Sequence, residues 1–325
     1  MNPKIFIGPM TKNVVDAIIT FCNKTGHNIG LIPSRRQIEW NGGYVNNWTT
    51  NTFTQYVKRK TDNIILQRDH SGPGQGQNID TGYTSLIDDC KYLDLIHIDP
   101  WKQYPNYADG LAWTADMIKV CNAINPKLKY EIATEESIRR FEVEDLNKLI
   151  IDLNIELGAQ LFSKIKYLVI QSGTALKGNT QTGLYDKNRL IEMVSLAKKY
   201  NLLTKEHNGD YIPTSIIKEK FNLGLDAINI APEFGLIETQ TYLDHIEKDS
   251  ELFNQYWKIC YDSNKWVKWV NDAFDPIEQK EELIKICGHY VISYKSFFDT
   301  MKNFTYINKE VQNRVTIKLN ELYGY

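Results

Sequence analysis

One alternation constrains this chain more than any other feature. A short apolar run ending in polar or glycine residues is followed by a stretch of helical period. The pair repeats from residue 3 to about residue 247, with runs at residues 5–9, 29–34, 64–70, 95–101, 130–136, 167–173, 202–210 and 227–233. The runs are rich in Ile, Leu, Val and Tyr and alternate little, as strands covered on both faces do. Between them, Val14, Ile18, Phe21 and Cys22 share one helical face. So do Leu146, Leu149, Ile150, Leu153, Leu157 and Leu161, and likewise Leu190, Met193, Val194 and Ala197. Thr11 and Asp186 read as helix N-caps, Gly26 and Gly224 as helix stops. Eight strand–helix units imply parallel strands with right-handed crossovers, and at eight the sheet closes naturally into a (β/α)8 barrel. An open doubly wound sheet is the alternative, weakened by the lack of a GxGxxG after the first run.

Residues 248–325 break the rhythm. They read as helices with a heavy aromatic load, including Tyr256, Trp257, Trp266, Trp269, Phe274, Tyr290, Tyr294, Phe297 and Phe298. No Gly/Ser-rich linker precedes them, so they are expected to pack as a helical C-terminal extension on a barrel of residues 1–247. A lid or a subunit interface is the functional alternative for this region.

The formal net charge of -2 argues against a nucleic-acid partner. Arg35-Arg36 and Lys58-Arg59-Lys60 are only local basic clusters. No run approaches the ~18 apolar residues of a membrane span, and residues 1–7 are too short an apolar stretch for a signal h-region. The five cysteines (Cys22, Cys90, Cys121, Cys260, Cys287) are scattered without a CxxC, which reads as reduced thiols in a cytoplasmic protein.

In such a barrel the chemistry gathers where strands end and the following loops begin. The second run ends Ser34-Arg35-Arg36-Gln37, with Asn41-Gly42-Gly43-Tyr44 in its loop. The third ends Arg68-Asp69-His70-Ser71-Gly72-Pro73. The fourth carries His97 and Asp99, and the fifth ends Thr134-Glu135-Glu136. The sixth ends Gln171-Ser172-Gly173-Thr174. The seventh ends Lys205-Glu206-His207-Asn208-Gly209-Asp210, and the eighth carries Asn229 and ends Ala231-Pro232-Glu233. A lone Asp-His pair is usually a structural hydrogen bond. Carboxylates, imidazoles and an amide at one end of several strands converge on one axis, and carboxylate plus imidazole suits Zn²⁺, Mn²⁺ or Fe²⁺. Glycine-bearing loops after the second and sixth runs could offer backbone N–H groups to a phosphate, although such loops also serve plain turns. His97 and Asp99 alternate, so both face the same way. If inward, they lie beneath the metal as support or fill the core. His27, His245 and His289 read as surface or packing residues.

These motifs resemble the GatZ/KbaZ-type subunit of tagatose-1,6-bisphosphate aldolase, a relative of the class II, metal-dependent fructose-bisphosphate aldolases. The resemblance rests on Gln37 with Gly42-Gly43-Tyr44, on Asp69-His70-Ser71-Gly72-Pro73, and on His97-Ile98-Asp99. It rests further on Thr134-Glu135, Gln171-Ser172-Gly173, His207-Asn208-Gly209-Asp210-Tyr211 and Ala231-Pro232-Glu233-Phe234. It spans nearly the whole chain. It implies ketose-phosphate chemistry, as a lyase or as a sugar-phosphate 4-epimerase. The alternative is a noncatalytic subunit that sustains a separate aldolase subunit; a metal-free sugar-phosphate binder is a third reading. Class II aldolases bind metal through three histidines, and here, as in the family, the strand-six position is Gln171.

On that resemblance a divalent ion, zinc foremost, is expected on His70, Glu135, His207 and Gln171, with Asp69 and Glu135 catalytic and His97 and Asp99 in support. Arg35, Arg36, Arg68 and Lys205 are the candidate phosphate or anion groups, joined at the substrate by Gln37, Gly43, Gly173, Asp210 and Asn229. A homo-oligomer is a further expectation. Asp69 and His70 are neighbours, which a regular strand would send to opposite faces. Both reach the mouth only if the strand has ended before them, and Ser71-Gly72-Pro73 supplies the turn.

Overall fold

The computed structural model describes residues 2–324. Strands and helices alternate as β1 (Ile5–Ile7), α1 (Lys12–Thr25), β2 (Ile29–Leu31), α2 (Thr50–Lys58), β3 (Ile64–Ser71), α3 (Tyr83–Tyr92), β4 (Leu95–Ile98), α4 (Tyr107–Ile124), β5 (Lys129–Ile132), α5 (Val143–Phe162) and β6 (Ile165–Ile170). A two-stranded hairpin, β7 (Leu176–Lys177) and β8 (Thr180–Gln181), decorates the loop after β6. The order continues with α6 (Lys187–Lys199), β9 (Leu203–Glu206), α7 (Thr214–Asn222), β10 (Ala227–Ile230) and α8 (Pro232–Leu243). The strands close in the order β1-β10-β9-β6-β5-β4-β3-β2, all parallel. The fold is therefore a (β/α)8 barrel, and the open sheet is excluded.

The helices form where the apolar stripe and the caps agree. Thr11 caps α1 by accepting from the Val14 N–H, and Asp186 caps α6 by accepting from Arg189. Gly26 ends α1 at φ +74°, a left-handed conformation that costs a glycine little. Val14, Ile18, Phe21 and Cys22 are buried against the barrel, as are Leu146, Leu149, Ile150 and Leu153 of α5. Beyond α8 come α9 (Glu251–Asp262), α10 (Lys280–Val291), α11 (Lys295–Thr300) and α12 (Ile307–Tyr323). α12 lies against α1 and α8, and α10 against α8 and α9. Leu283, Val311 and Leu319 share one continuous hydrophobic core with barrel residues such as Val14 and Phe234. The aromatic load is spent largely in contacts such as Tyr256–Phe297 and Tyr242–Phe297.

Inside the barrel an apolar floor of Phe6, Ile32, Leu95, Tyr167 and Ala227 supports a polar layer. Phe6 and Tyr167 meet edge to face at 5.7 Å. Above them the Lys205 ammonium sits 3.5 Å from the Phe6 ring centroid and donates to Gln67 at 2.6 Å and to Glu131 at 2.8 Å. This network holds up the base of the mouth.

Candidate functional site

The mouth is organised by a local irregularity in β3. Its register with β4 pairs Arg68 with Ile96 but Ser71 with Ile98, so three steps on β3 answer two on β4. One residue is extra, which makes a β-bulge. His70 takes φ +46°, in the left-handed region that a β-carbon disfavours. Asp69 and His70, although adjacent, both line the cavity at the mouth. The expected reason, that the strand has already ended, is incorrect: β3 runs on through Ser71, and the bulge turns the two side chains together.

Three imidazoles meet above the polar layer. The ring centroids of His70, His97 and His207 are 4.9, 5.1 and 5.0 Å apart pairwise. Each ring has one nitrogen held by an acceptor. His70 Nδ1 lies 2.6 Å from Asp99 Oδ2, which also accepts from Thr134 Oγ1. His207 Nε2 lies 2.8 Å from Glu131 Oε1, and His97 Nε2 2.8 Å from the Ala133 carbonyl. The remaining nitrogens face inward. His70 Nε2 is 3.5 Å from Glu135 Oε2 and 3.9 Å from Asp69 Oδ1, and His207 Nδ1 is 3.8 Å from Glu135 Oε2. His97 Nδ1 accepts a long bond, 3.3 Å, from the His70 backbone N–H. One ligand atom from each of Asp69, His70, His97 and His207 falls within 4.8 Å of the others.

Two donor atoms sharing a zinc ion at ~2.1 Å stand roughly 3–4 Å apart. That is the spacing between Glu135 and the free nitrogens of His70 and His207. Nitrogens anchored on their far side by carboxylate or carbonyl are the usual companions of metal-bound histidine. The donor chemistry therefore fits a divalent ion.

Electrostatics bind the cluster together. Burial pulls the His70 imidazolium down, yet Asp69, Asp99 and Glu135 outweigh it and hold its pKa well above the ordinary value. Burial likewise opposes charge on Glu135, but His207 and His70 keep it well below the usual carboxylate range. Glu131 is held down against burial by Lys205, His207 and His97. His97, the most enclosed of the rings, is pushed down mainly by burial.

Other expected site residues are tied up elsewhere. Gln171 accepts from the Phe141 N–H at 2.9 Å and donates to the Thr134 and Arg139 carbonyls at 2.8 Å each, so it fastens the loop after β5 rather than facing the imidazoles. Arg68 points away from the mouth and is fully buried. It pairs with Asp89 of α3 and donates to the Pro33 and Ile38 carbonyls. Lys205 lies in the barrel interior, with Gln67 and Glu131 as its partners. The Arg35 guanidinium reaches the cavity wall but is taken up by Glu39, Asp80 and the Gly72 carbonyl. Asp210 caps α8 by accepting from the Ala231 and Glu233 N–H groups, and burial raises it to about 7.

The two expected phosphate-loop glycines serve close packing. A β-carbon on Gly43 would stand 2.1 Å from the Gln37 carbonyl oxygen, and one on Gly173 1.8 Å from that of Leu184. Gln37 and Arg36 do line the cavity. Asn229 Nδ2 sits 3.4 Å from Asp69 Oδ1.

The structure adds residues that strand-end reading missed. Glu131 lies within β5 and anchors His207; a glutamate in a buried strand between Tyr130 and Ile132 was the available signal. Asn208 donates to Glu135 at 2.9 Å. Lys268, Trp269 and Tyr290, from beyond residue 248, line the same cavity of about 370 Å³ as Asp69 and His70.

No protein-family model and no curated protein sequence matches the chain. Solved structures do. A probable tagatose 6 phosphate kinase from Sinorhizobium meliloti 1021 aligns over 99% of this chain and 100% of its own, with a TM-score of 0.78 and 14% identity. The fructuronate-tagaturonate epimerase from Cohnella laeviribosi aligns over 98% and 81%, with a TM-score of 0.64 and 10% identity. The fructose-bisphosphate aldolase from Campylobacter jejuni aligns over 99% and 90%, with a TM-score of 0.57 and 13% identity. The chain shares their fold. Among the described residues no helix is long and apolar enough to cross a membrane.

Proposed function

We propose that this barrel is a metal-dependent enzyme of the aldol class, a lyase or 4-epimerase acting on a ketose phosphate or a related sugar. The observation that carries the reading is the arrangement of the histidines: each has one nitrogen anchored, and His70 and His207 turn the other toward Glu135 at 3.5 and 3.8 Å. Aldolase and epimerase neighbours on the same fold support it. His70, His207 and Glu135 would hold the ion, zinc foremost, with His97 beneath them. When bound, a divalent cation supplies Lewis-acid polarisation of a ketose carbonyl and stabilisation of the negative charge that C–C cleavage leaves behind.

The protein's own groups do the rest. Asp69 opens onto the cavity and takes the proton of the hydroxyl whose carbon becomes the aldehyde. Asn229, approaching from β10, orients that carboxylate. Asp99 and Glu131 hold Nδ1 of His70 and Nε2 of His207, so the inward nitrogens are the ones that would give up their proton to a metal ion. In an epimerase the aldehyde stays in the cavity, rotates and rejoins its partner.

Metal analysis of the purified chain, run beside a retro-aldol and epimerase assay over a panel of ketose phosphates, tests the reading. Bound stoichiometric metal with turnover supports it. Metal without turnover, and activity gained only on adding a class II aldolase subunit, would move the chain to the noncatalytic-partner reading. A metal-free chain that binds sugar phosphate would end the proposal.

A further inference from the structure

We propose that Arg36, Lys102 and Lys268 form an anion subsite at the rim of the mouth, built jointly by barrel loops and the C-terminal extension, that takes the phosphate monoester of the substrate. The three cations line the same cavity as Asp69 and His70. Arg36 comes from the loop after β2, Lys102 from the loop after β4, and Lys268 from the segment between α9 and α10. None of the three forms an ion pair among the described residues, unlike Arg35 next door, which has two. Arg36 and Lys102 are instead steadied by backbone carbonyls of one loop, Gly76 at 3.1 Å and Gly74 at 3.1 Å. Lys268 rests 4.3 Å from the Trp269 ring centroid and 5.5 Å from that of Tyr290.

The cavity wall also carries a buried nitrogen donor without an acceptor, Gln75 Nε2. Positive charge gathered without a direct ion-pair partner, beside an orphaned donor, calls for an anion. The mutual cost is visible: surrounding protein, then Arg36, Lys265 and Lys102, lower Lys268 to about 8. Burial and Arg36 lower Lys102 as well. A phosphate dianion, with three charged donors to satisfy it, matches this set better than a carboxylate. Arginine can grip two of its oxygens at once, and the lysines act as point charges.

The subsite rests on the reading of the mouth as a sugar-phosphate site, and it is tested apart from turnover. Inorganic phosphate is titrated into the wild-type chain by calorimetry, with acetate at equal ionic strength as the carboxylate arm. The same titration is run on Lys268→Met, on Lys102→Met/Lys268→Met, and on Lys295→Met, which removes an exposed extension lysine paired with Asp299. Each variant is checked for unchanged melting temperature and metal content. The expected result is phosphate binding in preference to acetate, weakened about 10- to 100-fold by Lys268→Met, the loss of one charge-assisted contact, and unaltered by Lys295→Met. Equal affinity for phosphate and acetate, no phosphate binding, or binding that survives in the folded double variant would overturn the subsite. Phosphate binding without retro-aldol or epimerase turnover would uphold the subsite and refute the proposed reaction instead.

Discussion

Two groups of polar side chains crowd the upper half of the barrel, and they differ in one respect. Around Arg68 and Lys205 every charge is answered. Arg68 has Asp89, two carbonyls and Thr50, and Lys205 has Glu131 and Gln67. At the mouth, each anchored imidazole of His70 and His207 turns its inward nitrogen toward Glu135 at 3.5 and 3.8 Å, longer than an ordinary hydrogen bond, and Asp69 stands beside them. Burying a polar group is tolerable only when its valences are met. A saturated network is therefore scaffold, and a network saturated on one side only is built around something else. The same side-chain types, a few residues apart in sequence, divide into scaffold and candidate site on this criterion.

The sharpest way to break the comparison is at Asp69. Asp69→Asn should fold and load metal as wild type does and lose turnover by ~10²–10⁴ if general acid–base catalysis is its whole role. A thermal melt beside the retro-aldol assay reads both. A fully active Asp69→Asn enzyme would remove Asp69 from the chemistry.

The opposite behaviour is expected one residue earlier. Arg68→Met leaves Asp89 charged, fully buried and without its cation. Breaking such a pair from one side costs ~3–5 kcal/mol. Denaturant unfolding should show that loss, while metal content per folded molecule stays at the wild-type level. A metal-depleted but stable Arg68→Met protein would contradict the division drawn above.

Between these extremes lie the anchors. Asp99→Ala removes the acceptor of His70 Nδ1 without touching the cavity-facing nitrogen. Loss of such a supporting group typically weakens metal affinity by ~10–100-fold. Competition with a chelator should show that drop, and affinity equal to wild type would mean that the bulge at His70 alone holds the ring in place.

The barrel was legible because closure depends on a pattern carried by many residues, and no single exception disturbs it. The placing of the candidate site residues was legible in part. Strand-end position pointed to Asp69, His70, Glu135 and His207, which do share the mouth. Position along a strand says less about where a side chain spends its hydrogen bonds. Gln171 and Arg68 occupy the expected positions, but neighbouring backbone carbonyls and Asp89 claim them first. The bulge in β3 could not be read from Asp69-His70 alone, since it is a property of pairing with β4. Lys268 and Trp269 reach the cavity from a region with no periodic relation to the barrel strands.

Glu238 extends the comparison to a place where saturation is incomplete in another sense. This α8 carboxyl is fully buried against α1, where Thr11 and Asn13 donate to it, and it forms no ion pair among the described residues. Burial drives its pKa up to about 7, with the two donors pulling the other way. In the unfolded chain it ionises near the ordinary glutamate value of 4.5. The native state therefore favours the protonated form. The stability this contributes is full below about pH 4.5 and is lost as the pH rises toward 7. Glu238→Gln keeps the acceptor oxygen for Thr11 or Asn13 and removes the ionisation. Relative to wild type it should gain about 3 kcal/mol at pH 8 and little at pH 4.5. Paired unfolding curves at the two pH values measure the difference directly. A gain that is equal at both would trace to packing, and a loss at pH 8 would mean that the ionised carboxylate is satisfied where it lies, which would place Glu238 with Glu131 among the answered charges.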